Sequence, residues 1–300
     1  MLHHFPKFLL LMSLTFFMTS VSASAVGELP WQNTEKGHYY FSGWAGGRLD
    51  IQFSVPKDSH ADTPVLLIIP GARRNAGQYR DHWHALALKY GFIVLAIGCN
   101  NHTCPTEYDY NLGGLQNEQG QEQALANQFF SAPELVFHDF VDKFASRQRQ
   151  FALYGHSAGG GFVHLYMLAR SNAPVSQAVS ANAAFFTMPE LQMPFPFGLH
   201  NTAFDAQDVN AWLRKPLTFM LADNDLGPRT KPLSNSEQAN LQGRNVFARG
   251  LAFYAKAINW ASGQKLQPTW ALEVVHGVGH DSARIAPHAV KYLFPELEGR

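Results

Sequence analysis

The chain has 300 residues, 46% of them hydrophobic, 13% aromatic and only 15% charged, so it can bury a large core and is neither a small disulfide-stapled module nor a disordered tract. Lys plus Arg number 23 and Asp plus Glu 23, a net charge of +0 that lacks the basic footprint of a nucleic-acid binder. Repeats and low-complexity tracts are absent from the sequence, which excludes a solenoid.

The first segment reads as an address. Lys7 precedes an almost wholly apolar run over 8–18, and Val21-Ser22-Ala23-Ser24-Ala25 then offers an Ala-x-Ala cleavage site. This pattern predicts a secretory signal peptide over 1–25 and a mature chain of one domain over 26–300. The apolar run is shorter than the ~20 residues that span a bilayer. No later stretch is apolar enough to cross, so the expected destination is the periplasm or the exterior, with no membrane span once the leader is removed.

Segments 39–42 and 49–55 flank a glycine-rich turn and predict an antiparallel hairpin. Short apolar runs follow at 65–69, 92–97, 151–154, 217–221 and 270–275, with a further candidate strand around 178–183. Buried on both faces, such runs make parallel strands. Helical patterns at 83–90, 134–147, 162–170, 246–261 and 285–293 alternate with them. The predicted class is therefore α/β, a mostly parallel central sheet opened by an N-terminal antiparallel hairpin and covered by helices on both faces. Ligands of such sheets bind beyond the carboxyl ends of the strands.

Cys99 and Cys104, the two cysteines of the chain, enclose a short loop after the second of these runs. Export favours a disulfide between them, whose task would be to stiffen that loop. The 14 histidines, with His82, His84 and His102 as seeds, show no metal-ligand spacing, so no metal and no cofactor are expected.

The motif that carries chemistry is Gly155-His156-Ser157-Ala158-Gly159, set between a strand and a helix. A serine hydroxyl needs a base, and the base needs a carboxylate to fix its tautomer and stabilise its charged form. Downstream, the strand at 217–221 runs into Asp223-Asn224-Asp225, and the strand at 270–275 into His276-Gly277-Val278-Gly279-His280. Asp225 and His280 are the expected partners of Ser157. Asp223 is the reserve acid, with turn capping as its other reading, and His276 is expected to pack or to bond a local backbone group. The backbone N–H groups of Ala158 and Ala72 are expected to form the oxyanion hole, with Arg73 as the alternative to Ala72. Arg73 and Arg74 read either as anchors for an acidic substrate group or as solvated charge.

Ser157 in its elbow, Asp225, His280 and the turn Pro70-Gly71-Ala72 resemble the α/β-hydrolase superfamily. The stretch Ile68-Ile69-Pro70-Gly71-Ala72, with Tyr79 after it and Tyr90-Gly91-Phe92-Ile93-Val94 beyond, is similar to polyhydroxybutyrate-depolymerase-like and feruloyl-esterase-like enzymes. Those relatives usually carry a histidine before the turn glycine, where this chain has Pro70. The Phe- and Pro-rich segment over 185–215 is expected to form a rigid lid or pocket wall, with Phe185 and Phe186 accepting an acyl chain or an aromatic ring, or else simply covering the sheet. The expected activity is hydrolysis of a small or polymeric ester through an acyl-enzyme. An amidase or peptidase using the same triad, or a hydrolase-like binding protein without turnover, are the alternatives.

Overall fold

The computed structural model describes residues 1, 31, 34–228 and 232–297, so the expected leader lies, Met1 apart, outside the described residues. Eight strands form one sheet: β1 (Lys36–Phe41), β2 (Leu49–Ser54), β3 (Val65–Ile69), β4 (Ile93–Gly98), β5 (Phe151–His156), β6 (Val175–Ala181), β7 (Leu217–Ala222) and β8 (Ala271–Val275). Their order across the sheet is β1-β2-β4-β3-β5-β6-β7-β8. β1 pairs with β2, and β2 with β4, antiparallel. Every other pairing is parallel.

The alternation of side chains explains why these strands read as unbroken apolar runs. In β3, Val65, Leu67 and Ile69 enter one buried cluster, whereas Leu66 and Ile68 enter a second on the opposite face. The helices are α1 (Ala76–Tyr90), α2 (Glu107–Tyr110), α3 (Ala132–Phe144), α4 (Ala158–Ala169), α5 (Ala206–Trp212), α6 (Glu237–Gln242), α7 (Val246–Gly263) and α8 (Ser282–Leu293). α1 and α8 cover the second cluster through Trp83, Ala87, Ile285 and Ala289. α3, α4 and α7 cover the first through Phe137, Phe162 and Phe253. Each fully buried aliphatic or Phe side chain stabilises the sheet by ~1.5–3 kcal/mol over its exposed state, which is why exposed propensity rules yield to packing here.

Four of the five predicted helices begin earlier than the sequence pattern predicts, α1 and α4 by the most. α1 starts at Ala76 because Asn75 accepts the N–H groups of Gln78 and Tyr79 and turns Ala76 and Tyr79 inward. α4 starts at Ala158, through three consecutive glycines that are poor helix formers in isolation. Packing overrides propensity there: a Cβ on Gly159 would lie 1.9 Å from the Ile69 carbonyl oxygen at the end of β3. Cys99 and Cys104 are disulfide-bonded and buried. Among the described residues no helix is long and apolar enough to cross a membrane.

Candidate active site

β5 ends at His156, and the chain turns at once into α4. The turning residue is Ser157, with φ 59° and ψ −119°, a conformation L-residues rarely adopt. The flanking glycines serve a different purpose from the bend itself. A Cβ on Gly155 would sit 2.0 Å from the Gly159 carbonyl oxygen, so both glycines are needed for close approach of helix and strands, while the serine takes the strain. The Ser157 N–H is fixed by the Ala181 carbonyl at 2.9 Å, and its own carbonyl accepts from Gly161 at 3.0 Å. The first N–H groups of α4 thus open beside the Ser157 side chain, with the positive end of the helix dipole.

The carboxyl ends of β7 and β8 are laced together. Asp223 and Asn224 donate their N–H groups to Val275 and Val278. Gly277, at φ 72°, permits the return, and its N–H donates to Asp223 Oδ1 at 2.8 Å. Asp281 caps α8 by accepting from Ala283 and Arg284, which fixes the chain just after His280. In this frame Asp225 Oδ2 and His280 Nδ1 are 2.5 Å apart. The Asp225 side chain is 1% exposed and that of His280 25%. The reserve acid meets the other histidine: His276 Nδ1 lies 2.9 Å from Asp223 Oδ2, out in solvent, so His276 bonds a side chain and is not packed. That contact, helped by the Gly277 N–H, holds the Asp223 carboxyl below its ordinary range. Asp223 is therefore both a partner for His276 and a turn-bonding side chain.

Ser157 and His280 line one cleft of about 550 Å³, together with Gly71, Ala72, Arg73, Tyr79 and His82. The turn after β3 is held from three sides. Tyr110 donates its hydroxyl to the Pro70 carbonyl at 2.8 Å. Tyr79 Oη would lie 2.6 Å from a Cβ on Gly71, and Ser157 Cβ 3.4 Å, so only glycine fits between them. Arg74, at φ 56°, lies over the Tyr110 ring and donates to the carbonyls of Cys104 and Thr106. The disulfide loop is thereby bonded to the turn that carries Ala72. Burial pushes the Tyr79 hydroxyl up to about 12, so it remains protonated at neutral pH.

The two neighbouring arginines part company. Arg73 is exposed and lines the cleft, whereas Arg74 is committed to the disulfide loop. Ala158 is buried at the first position of α4, and Ala72 is exposed at the cleft.

Phe185 and Phe186 require a correction. Phe186 is fully buried and stacks on Phe253 with ring centroids 4.6 Å apart, and Phe185 packs against Phe197. Neither lines the cleft. The physical reason is His164 on α4, whose Nε2 accepts the Thr187 N–H at 3.0 Å and draws this segment onto the core. Burial lowers the His164 pKa to about 4, which keeps the ring neutral and able to accept. A larger recess of about 880 Å³, lined by Gln116, Arg170 and Phe204 among others, contains neither Ser157 nor His280.

Sequence reasoning missed the buried polar residues behind the cleft. Asn182, at φ 45°, follows β6, accepts the Ala222 N–H at 2.8 Å and faces His156. An asparagine directly after an apolar strand was the available signal. Among the described residues no group of three or more His, Cys, Asp or Glu side chains could hold a metal ion.

The sheet order, the serine elbow and the Asp–His pair define an α/β hydrolase, and the chain belongs to the α/β-hydrolase family of hydrolases and esterases. Poly(aspartic acid) hydrolase-1 from Sphingomonas sp. KT-1 is 34% identical, with a TM-score of 0.83 over 86% of this chain and 98% of that one. LpqC, a poly(3-hydroxybutyrate) depolymerase from Bordetella parapertussis, is 25% identical, with a TM-score of 0.81 over 87% and 90% of the two chains. The siderophore hydrolase EstB from Aspergillus nidulans, at 16% identity and a TM-score of 0.55 over 91% and 97%, shares the fold. No protein-family model and no curated protein matches the sequence.

Proposed function

We propose that the protein is an exported serine hydrolase that cleaves carboxylic esters by way of an acyl-enzyme. The observation that carries this reading is the 2.5 Å contact of Asp225 with His280 at the cleft that Ser157 also lines. With Nδ1 engaged by the carboxylate, Nε2 is the atom that takes the Ser157 proton as the hydroxyl attacks the carbonyl carbon. The resulting oxyanion receives the N–H groups of Ala158 and Ala72, with Arg73 the alternative to Ala72. Collapse expels the alcohol, which takes the proton from His280. Water, deprotonated by the same histidine, then attacks the acyl group and releases the acid and Ser157. Neither step calls for a cofactor. The apolar run before Ala25 and the disulfide support export.

A second reading, hydrolysis of amide bonds in an acidic polymer, is favoured by the 34% identity to a poly(aspartic acid) hydrolase and by Arg73 at the cleft. The deciding assay compares the protein with its Ser157→Ala variant on p-nitrophenyl esters, an anilide, a polyester film and poly(aspartic acid). Ester turnover lost in the variant supports the first reading. Turnover of poly(aspartic acid) or the anilide without any ester supports the second. Equal rates for both proteins would remove Ser157 as nucleophile, and no turnover of any substrate would favour a binding protein.

A further inference from the structure

The residue before the nucleophile has no part in the chemistry above, yet it is the most tightly enclosed polar group at the cleft. His156 is 2% exposed, and its ring lies against that of His280, centroids 4.5 Å apart and planes tilted by 39°. Its two nitrogens face different partners. Asn182 uses its Oδ1 to accept the Ala222 N–H, which directs its amide nitrogen at His156 Nε2, 3.4 Å away. Nε2 is thus the accepting nitrogen, and the ring proton resides on Nδ1, facing Tyr79 Oη at 3.1 Å. The same Tyr79 hydroxyl lies against Gly71 in the turn after β3, 2.6 Å from where a Cβ would stand there.

The geometry points to His156 as a positioning residue that covers one face of the His280 ring and couples the orientation of that ring, through Tyr79, to the turn carrying Ala72. This rests on the reading of Ser157 and His280 given above. The covering ring does two things. It limits rotation of His280 about its bond to Asp225, since the imidazole can tilt only as far as the fixed neighbour allows. It also keeps water from that face. Asp225 from the β7 loop faces His280, and the cleft that His280 lines also holds the charged or titratable side chains of Arg73 after β3, Tyr79 and His82 from α1, and Asp281 before α8.

Two substitutions separate cover from hydrogen bonding. His156→Ala removes both, and His156→Phe restores a ring face but no bond to Asn182 or Tyr79. Expected for His156→Ala is a fall in kcat of ~100-fold with KM within threefold. His156→Phe should recover at least tenfold of kcat, although its melting temperature stays as low as that of His156→Ala. A folded His156→Ala protein with kcat within threefold overturns the proposal, as does a loss that falls on KM instead of kcat or a Phe variant no better than Ala. Should neither variant fold, Tyr79→Phe tests the coupling by deleting one oxygen. A threefold to tenfold loss of kcat at constant KM is expected, and an unchanged kcat overturns the coupling. Activity surviving in Ser157→Ala would instead defeat the underlying hydrolase reading, so the two failures are distinguishable.

Discussion

Two Asp–His pairs bridge the loops after β7 and β8, one inside the other. Asp225 and His280 meet at 2.5 Å with the carboxylate side chain 1% exposed; Asp223 and His276 meet at 2.9 Å with the imidazole 83% exposed. Residue types and strand positions are nearly the same, but the surroundings differ. The inner pair lies beside the buried His156 ring and at the cleft that holds Ser157. The outer pair is in water, where charge is screened and a contact of this kind contributes little. On the function proposed above, an Asp–His contact serves catalysis only where it is removed from water and has a hydroxyl to act on.

The comparison breaks if the two pairs respond alike to substitution. His280→Ala should lower kcat by ~10⁵–10⁶-fold and Asp225→Asn by ~10⁴-fold, magnitudes typical of serine hydrolase triads. His276→Ala and Asp223→Asn should stay within threefold, and steady-state kinetics on one ester checks all four. A loss above a hundredfold in either outer variant would reassign the dyad.

Next in size is Gly71→Ala. Its Cβ would meet Tyr79 Oη at 2.6 Å and Ser157 Cβ at 3.4 Å, so the turn must shift away from its donor position. A loss of ~10²–10³-fold in kcat is expected, comparable with removing one oxyanion donor, while labelling of Ser157 by a fluorophosphonate slows in parallel. The inner site should also feel the disulfide, because Arg74 ties that loop to the same turn. Replacing Cys99 and Cys104 together by serine should cost about 2 kcal/mol for a loop this short. It should lower kcat by less than tenfold, and chemical denaturation and kinetics read the two effects.

The smallest effect belongs to the outer pair and is one of stability. The Asp223 carboxyl is held below its ordinary value of 3.8, chiefly by His276. A carboxyl depressed in the folded state binds fewer protons there than in the unfolded chain, so its contribution is present above pH 3.8 and fades as pH falls below it. Asp223→Asn should lower the melting temperature slightly at pH 6, and the two curves should converge in acid. A gap that widened below pH 3.8 would show that the contact acts otherwise.

Much of this was legible in the chain. Unbroken apolar runs announced strands covered on both faces, Gly-His-Ser-Ala-Gly between strand and helix announced the elbow, and chain order placed an acid and a histidine after the last two strands. Composition and spacing could not assign Phe185 and Phe186, since an aromatic that fills a pocket and one that fills a core are the same residue; the His164 contact to Thr187 decides between them. The same cues preferred Asp225 with His280 over Asp223, but on position in the turn alone. Asp223 and Asp225 differ by two positions in a turn, and only the lacing of β7 to β8 directs one carboxylate inward and the other to water. Local pattern fixes which residues are strand, helix or turn because it reports the period of burial. Which polar groups meet is set by long-range packing, here between residues 55 positions apart, and no local period records that.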